Sequence, residues 1–212
     1  MGVEFFKTTW FTSDWHVGHE AVLDFCKGSR PFEDLEEMHR TLIARYNSQV
    51  KDTHSCYFLG DFAFKGVKYG KEVLDQLNGK KVIILGNHDK GHQSLLNMGF
   101  DIVMDYASWK VHGLHITASH FPLKGIKREQ CEHYRNYQQG EGWHKEFVYD
   151  EKYLLPEDVG QDIHLHGHIH SPNKGFSKKV LDKQYDVGVD ANNLMPVSLN
   201  HIVKEINKCK SK

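Results

Sequence analysis

Neither sign of charge is in surplus: 27 Lys and Arg stand against 28 Asp and Glu, a net charge of −1. A general affinity for polyanions or anionic membrane surfaces is thereby excluded, and any attraction for phosphate must be local. Cysteine is scarce. Cys26, Cys56, Cys131 and Cys209 stand far apart with no C-x-x-C pair, which fits reduced thiols rather than a disulfide framework. No stretch approaches the ~18 apolar residues that a membrane span requires, and residues 1–7 lack the apolar core of a signal segment. A cytoplasmic location is expected. Repeats and low-complexity tracts are absent too, and 212 residues suit one domain, 1–212, with enough core to fold without disulfides or structural metals.

What the chain has is histidine: 16 of them, half inside a few short motifs. Short β-rich apolar runs each end in polar, metal-capable residues. Thr8 to Thr12 leads into Ser13-Asp14-Trp15-His16, Cys56 to Leu59 into Gly60-Asp61, and Val82 to Leu85 into Gly86-Asn87-His88-Asp89. Further on, His115 to Ala118 precedes Ser119-His120, Asp162 to Leu165 precedes His166-Gly167-His168-Ile169-His170, and Tyr185 to Val189 ends near Asp190. Open α/β sheets carry their sites at such strand C-termini.

Between the first two strands, Leu35, Met38, Leu42, Ile43, Tyr46 and Val50 recur at helical spacing behind the acidic Glu33-Asp34, which predicts a core-packing amphipathic helix. Lys71 to Leu77, closed by Asn78-Gly79, predicts a second. From Leu123 to Gly160 the rhythm breaks into a polar and aromatic insert, 123–160, with Lys124, Lys127, Arg128, Tyr134, Arg135, Tyr137 and Trp143. Loops over strand C-termini shape pockets, so the insert is expected to contribute to substrate binding. The basic Lys204 to Lys212 reads as a solvated end.

Singly the motifs are weak. Asp14 and His16 share a face of an extended strand, as do His168 and His170, because side chains two apart point the same way. A Gly-Asp after a strand is ordinarily a turn. Together, oxygens from Asp14, Asp61 and Asn87 and imidazoles from His16, His120, His168 and His170 form a mixed N/O set suited to Mn, Fe or Zn rather than Ca or Mg. Seven ligands exceed one tetrahedral zinc. Two divalent ions about 3.5–4 Å apart, bridged by a carboxylate, would use them all.

These residues resemble the calcineurin-like metallophosphoesterase family, whose blocks read D-x-H, G-D, G-N-H-[DE], a histidine after a strand, and G-H-x-H. All five occur in order from Asp14 to His170. The resemblance implies an α/β fold, a four-layer α-β-β-α sandwich with the dimetal site at strand C-termini. It implies that Asp14, His16, Asp61 and His170 hold one metal and Asp61, Asn87, His120 and His168 the other, with Asp61 as the bridge. Mn is the leading candidate, with Fe, Zn or Ni as alternatives. His88 would bind the phosphate and protonate the leaving oxygen, oriented by Asp89; His19 and Asn87 would join His88 in binding substrate. The activity implied is hydrolysis of a phosphate mono- or diester of nucleotide size by a two-metal-activated hydroxide.

Three features depart from the family pattern: Phe62-Ala63-Phe64 follows Gly60-Asp61 where relatives often have a second acid, Ser119 precedes His120 where they have glycine, and the interval from His16 to Asp61 is long. The compact bacterial and phage members are the most similar in their opening Asp14-x-His16-x-Gly18-His19. A nuclease acting on DNA or RNA ends is the second reading, disfavoured by the lack of a strong basic face. A non-catalytic scaffold is the third, disfavoured because no ligand is missing. A small phosphoester, possibly a nucleotide, is the expected partner; no membrane partner is expected. His166 reads as a packing residue or one supporting a ligand, and His164 as ordinary.

Overall fold

The computed structural model describes residues 8–111, 113–123, 156–170, 180–181 and 183–210; the predicted insert, apart from Leu123 and 156–160, lies outside them. Two five-stranded sheets pack face to face. The first has the order β10-β1-β2-β3-β4, with β1 (Thr9–Thr12), β2 (Ser55–Phe58), β3 (Lys80–Ile84) and β4 (Ile102–Met104) parallel and β10 (Val197–Ser198) antiparallel to β1. The second has the order β5-β6-β7-β9-β8. Its middle strands β6 (Leu114–Ala118), β7 (Ile163–His166) and β9 (Gln184–Asp186) are parallel, flanked by antiparallel β5 (Ala107–Val111) and β8 (Val180–Leu181). With helices flanking the sheets, this is the mixed α/β sandwich expected.

Between the sheets, Phe11, Leu59 and Ile84 of the first meet Ile116, Leu165 and Tyr185 of the second, all buried. Each such side chain withdrawn from water stabilises the fold by roughly 1.5–3 kcal/mol. On the other face of the first sheet lie α1 (Val22–Phe25), α2 (Leu35–Gln49), α3 (Val67–Leu74) and α4 (His92–Met98). Trp15 is the centre of that layer, its ring 5.6 Å from Phe58, 5.7 Å from Phe62 and 5.8 Å from Tyr46.

The α2 helix starts where the acidic run predicts: Asp34 is its N-cap and accepts from the Glu37 amide at 2.8 Å, while the Glu37 carboxylate reaches back to the Glu33 amide at 2.9 Å. The second helix begins earlier than its predicted Lys71 because it runs through Gly70. Helix interiors disfavour glycine, but a Cβ at this one would stand 2.9 Å from the Ala63 methyl and 2.5 Å from Met98 Sδ, so glycine lets α3 lie close against the turn at Ala63 while the flexible Met98 packs over it.

The C-terminal segment corrects a prediction. Lys204 to Lys210 belongs to a helix, α5 (Leu199–Lys210), which buries Leu199, Ile202 and Ile206 in the inter-sheet core and touches strands of both sheets. Their i, i+3, i+7 spacing is a helical stripe masked by the lysines on its outer face. No described helix is long and apolar enough to cross a membrane.

Candidate metal centre

The central strands of both sheets deliver their C-terminal ends to one place. β1 supplies Asp14 and His16, β2 Asp61, β3 Asn87, β6 His120 and β7 His168 and His170. The joints between them are backbone bonds: the Asp14 amide donates to the Gly60 carbonyl at 3.1 Å and the His16 amide to that of Asp61 at 3.0 Å. A bond across the two sheets runs from the Val189 amide to the Ser13 carbonyl, also 3.1 Å. All seven predicted ligands are thus brought together.

Two clusters result. In one, oxygen and nitrogen atoms of Asp14, His16 and His170 lie within 4.8 Å of one another; in the other, those of Asp61, His120 and His168 do. Asp61 lies between them, its Oδ2 at 3.7 Å from His16 Nε2 and 3.5 Å from His120 Nε2. His120 Nε2 also faces Asn87 Oδ1 at 2.9 Å and His168 Nδ1 at 3.1 Å.

The outward-facing nitrogens fix which atoms face the cluster. His120 Nδ1 donates to the Leu59 carbonyl at 2.7 Å, which leaves Nε2 turned toward the oxygens of Asp61 and Asn87. His170 Nδ1 is held by Asp190 Oδ2 at 2.8 Å, which directs its Nε2 toward Asp14 Oδ1, 3.9 Å away. His16 Nε2 is buried with no hydrogen-bond partner among the described residues. A buried imidazole nitrogen left unpaired among carboxylates costs free energy, and a cation would satisfy it. The donor set therefore fits divalent metal ions.

Backbone strain points the same way. Asp14, His16, Asp61, His168 and His170 have φ of 58°, 52°, 54°, 69° and 46°. Left-handed φ is uncommon for residues other than glycine and collects at functional sites. Among the described non-glycine residues only Asn193 and Leu194 share it. These conformations also correct the strand-face picture of Asp14 and His16: the ligands sit on tight turns past the strand ends, not on the strands.

Burial pushes the Asp14 carboxyl up to about 6, and burial together with the Asp89 charge does the same to Asp61. Burial, with His170 beside it, holds His16 well below the usual imidazole range. Burial would also lower His170, but the Cys26 and Asp14 charges and the Asp190 bond hold it well above.

His88 stands at the rim, 43% exposed at its side chain, with Nε2 3.9 Å from Asp61 Oδ2. Asp89 departs from its predicted role. Its carboxylate accepts from the backbone amides of Asp61 (2.9 Å), Phe62 (3.2 Å) and Gly86 (2.8 Å), tying the β2 and β3 turns together rather than orienting the His88 ring. His19 is drawn in, its Nδ1 3.0 Å from His16 Nδ1. His166 is buried, its Nδ1 3.0 Å from the Gly167 carbonyl and its ring 6.1 Å from that of His164.

Arg30, fully buried, was invisible in the sequence. It donates to Asp190 from Nε at 2.9 Å and Nη2 at 2.7 Å, and to the carbonyls of Asp14 at 2.5 Å and Trp15 at 3.1 Å. One guanidinium thus braces the Asp14–His16 turn and the carboxylate that aims His170. Asp190 stood after the sixth predicted strand, but nothing local distinguishes Arg30 before Pro31.

A two-sheet α/β sandwich with a buried histidine–aspartate centre at its strand ends is thus the class to which the molecule belongs. Compared with known proteins, the chain is 30% identical over 206 residues to the uncharacterised protein MJ1445 of Methanocaldococcus jannaschii, covering 96% of this chain and 94% of that one. It is 30% identical over 204 residues to the gene 66 protein of Mycobacterium phage L5, covering 87% of each. The chain belongs to the family these two proteins represent. Its fold is shared with AQ665, a protein of unknown function from Aquifex aeolicus, at a TM-score of 0.65 and 24% identity, covering 95% of this chain and 98% of that one. No family model matches the chain.

Proposed function

We propose that the chain is a metal-dependent phosphoesterase of the calcineurin-like kind, hydrolysing phosphate mono- or diesters of nucleotide size. The observation that carries this reading is the convergence of seven buried or half-buried nitrogen and oxygen ligands, with His16 Nε2 lacking a hydrogen-bond partner among the described residues. Asp14, His16 and His170 would hold one cation and Asn87, His120 and His168 the other, with Asp61 shared. When bound, such cations supply positive charge for the phosphoryl oxygens and acidify water. Manganese suits the imidazole-rich set best, with iron, zinc or nickel as alternatives.

The chain's own residues supply the rest. His88 is exposed beside Asp61, free to meet a phosphate ester and to donate a proton from its imidazole to the departing oxygen. Asn87 and His19 flank it as further substrate contacts. The Asp89 carboxylate keeps the Asp61 and Gly86 turns in register.

The test is a panel of phosphomonoesters, linear diesters, cyclic nucleotides and a DNA end, assayed after chelation and after adding Mn or Mg. Activity should vanish with EDTA and return more fully with Mn. Full turnover in metal-free protein would overturn the reading, and turnover confined to the DNA end would favour the nuclease.

A further inference from the structure

Phe64 is an exposed aromatic ring at the rim of this site. It is 44% exposed, which by itself is ordinary for a single surface residue. Its setting is not. The ring lies flat on His19, centroids 4.1 Å apart and planes 8° from parallel. Its other neighbour is the His88 ring, 5.6 Å away and tilted by 55°.

Both partners are held in place. His19 is fixed through its 3.0 Å contact with His16 and by Phe25, 5.6 Å from it edge-on. The Phe64 backbone is tied to the same turn, its amide donating to the Val17 carbonyl at 2.8 Å beside the Val17–Ala63 bridge. A Phe with one face covered by a parallel imidazole and so much of its surface in water presents the opposite face outward, prepared before any ligand arrives. Pre-ordered rings lose little entropy on binding.

We infer that Phe64, backed by His19, is a stacking subsite for the base of a nucleoside phosphoester. This rests on the reading of the neighbouring cluster as a phosphate-processing metal centre. A phosphate near Asp61 and His88 puts the group it carries within reach of Phe64, whose ring lies 5.6 Å from that of His88, and aromatic rings pair favourably offset and parallel. Two residues, Phe62 and Ala63, thus lead from the shared Asp61 carboxylate to the ring that would select what is attached to the phosphate.

The experiment compares adenosine 5′-monophosphate with ribose 5-phosphate, identical but for the base, by equilibrium titration of the manganese-loaded protein. The nucleotide should bind more tightly by roughly 5- to 100-fold, the range of one base stacked on one aromatic side chain. Phe64→Ala should abolish that preference while leaving ribose 5-phosphate binding within about twofold, and Phe64→Tyr should keep it. Equal affinities in the wild type, or a preference that survives Phe64→Ala, would overturn the subsite. Adenosine against ribose repeats the comparison without phosphate, so the subsite is decided even if metal analysis goes against the centre itself. Competition by a short single-stranded oligonucleotide then tells a free nucleotide from a strand end, since only a terminal base within a strand would make it compete as well as the mononucleotide.

Discussion

At the scale of single residues, His88 and Asp190 carry the sharpest tests. The close contact of His88 with the clusters is its backbone amide, which donates to Asp61 Oδ1 at 2.9 Å and is kept in an alanine variant, so losing the imidazole should leave metal content within error of the wild type. With His88→Ala, turnover of a substrate with an alkoxide-like leaving group should fall by roughly 10²–10⁴-fold, the usual worth of a positioned acid. A nitrophenolate, which departs without a proton, should lose far less; equal losses on both would mean that His88 binds phosphate rather than donating a proton. Asp190→Asn should act through His170 instead, lowering affinity for the Asp14 cluster's metal by about 10- to 100-fold. It should also destabilise the fold by about 3–5 kcal/mol, because Arg30 is left buried without its partner. Joint replacement, Arg30→Met with Asp190→Leu, should recover much of that stability but none of the metal affinity, measured by thermal unfolding and by elemental analysis. If metal affinity returns with stability, the pair has only a folding role.

Among the elements, strands that end in chemistry were legible because each advertises itself twice, as a β-rich run and as a polar stop. The α2 helix was legible through its apolar period and acidic start. What stayed hidden were contacts whose cause is remote in sequence. Arg30 meets Asp190 across 160 positions, Gly70 makes room for Ala63, and the stripe of α5 is disguised by lysines. The role of Asp89 was misjudged for a related reason: adjacency to His88 in sequence suggested a side-chain pair, whereas the turn geometry gives the carboxylate to backbone amides. Gly167, between β7 and the His168–His170 turn, shows how tightly these elements meet. A Cβ there would strike Ser13 Oγ and Asp14 Oδ2, and its amide donates to the His120 carbonyl at 3.0 Å. Gly167→Ala should therefore displace Asp14, cost about 1–3 kcal/mol as overpacking does, and release metal from the Asp14 cluster before the His120 cluster. Unchanged metal content and melting temperature would show that the sheets can shift apart to admit a methyl.

Across the whole molecule, the outer face of the second sheet buries polar groups whose protonation links folding to pH. His164 is fully buried, its Nδ1 2.9 Å from Thr117 Oγ1 and its Nε2 3.0 Å from the Phe121 carbonyl. A neutral ring satisfies both contacts, accepting from the hydroxyl and donating to the carbonyl, so a second proton gains no partner it needs and places a charge where burial removes its hydration. Burial, with His166 adding, lowers its pKa to about 3, and burial lowers that of His39 to about 4. In the unfolded chain both return to about 6.5. The unfolded state then binds more protons, so stability rises with pH through this range and is lost as pH falls. The loss should begin near pH 6.5 and continue to about pH 3–4, reaching on the order of 3–5 kcal/mol for His164 alone. Denaturant unfolding of the protein between pH 7.5 and 4 should show this slope, and His164→Asn, though less stable throughout, should show a shallower one. The variant's absolute loss reports the missing hydrogen bonds, whereas only the change in slope reports the proton. Parallel curves for the two proteins would mean that His164 takes up its proton without unfolding and that acid sensitivity arises elsewhere.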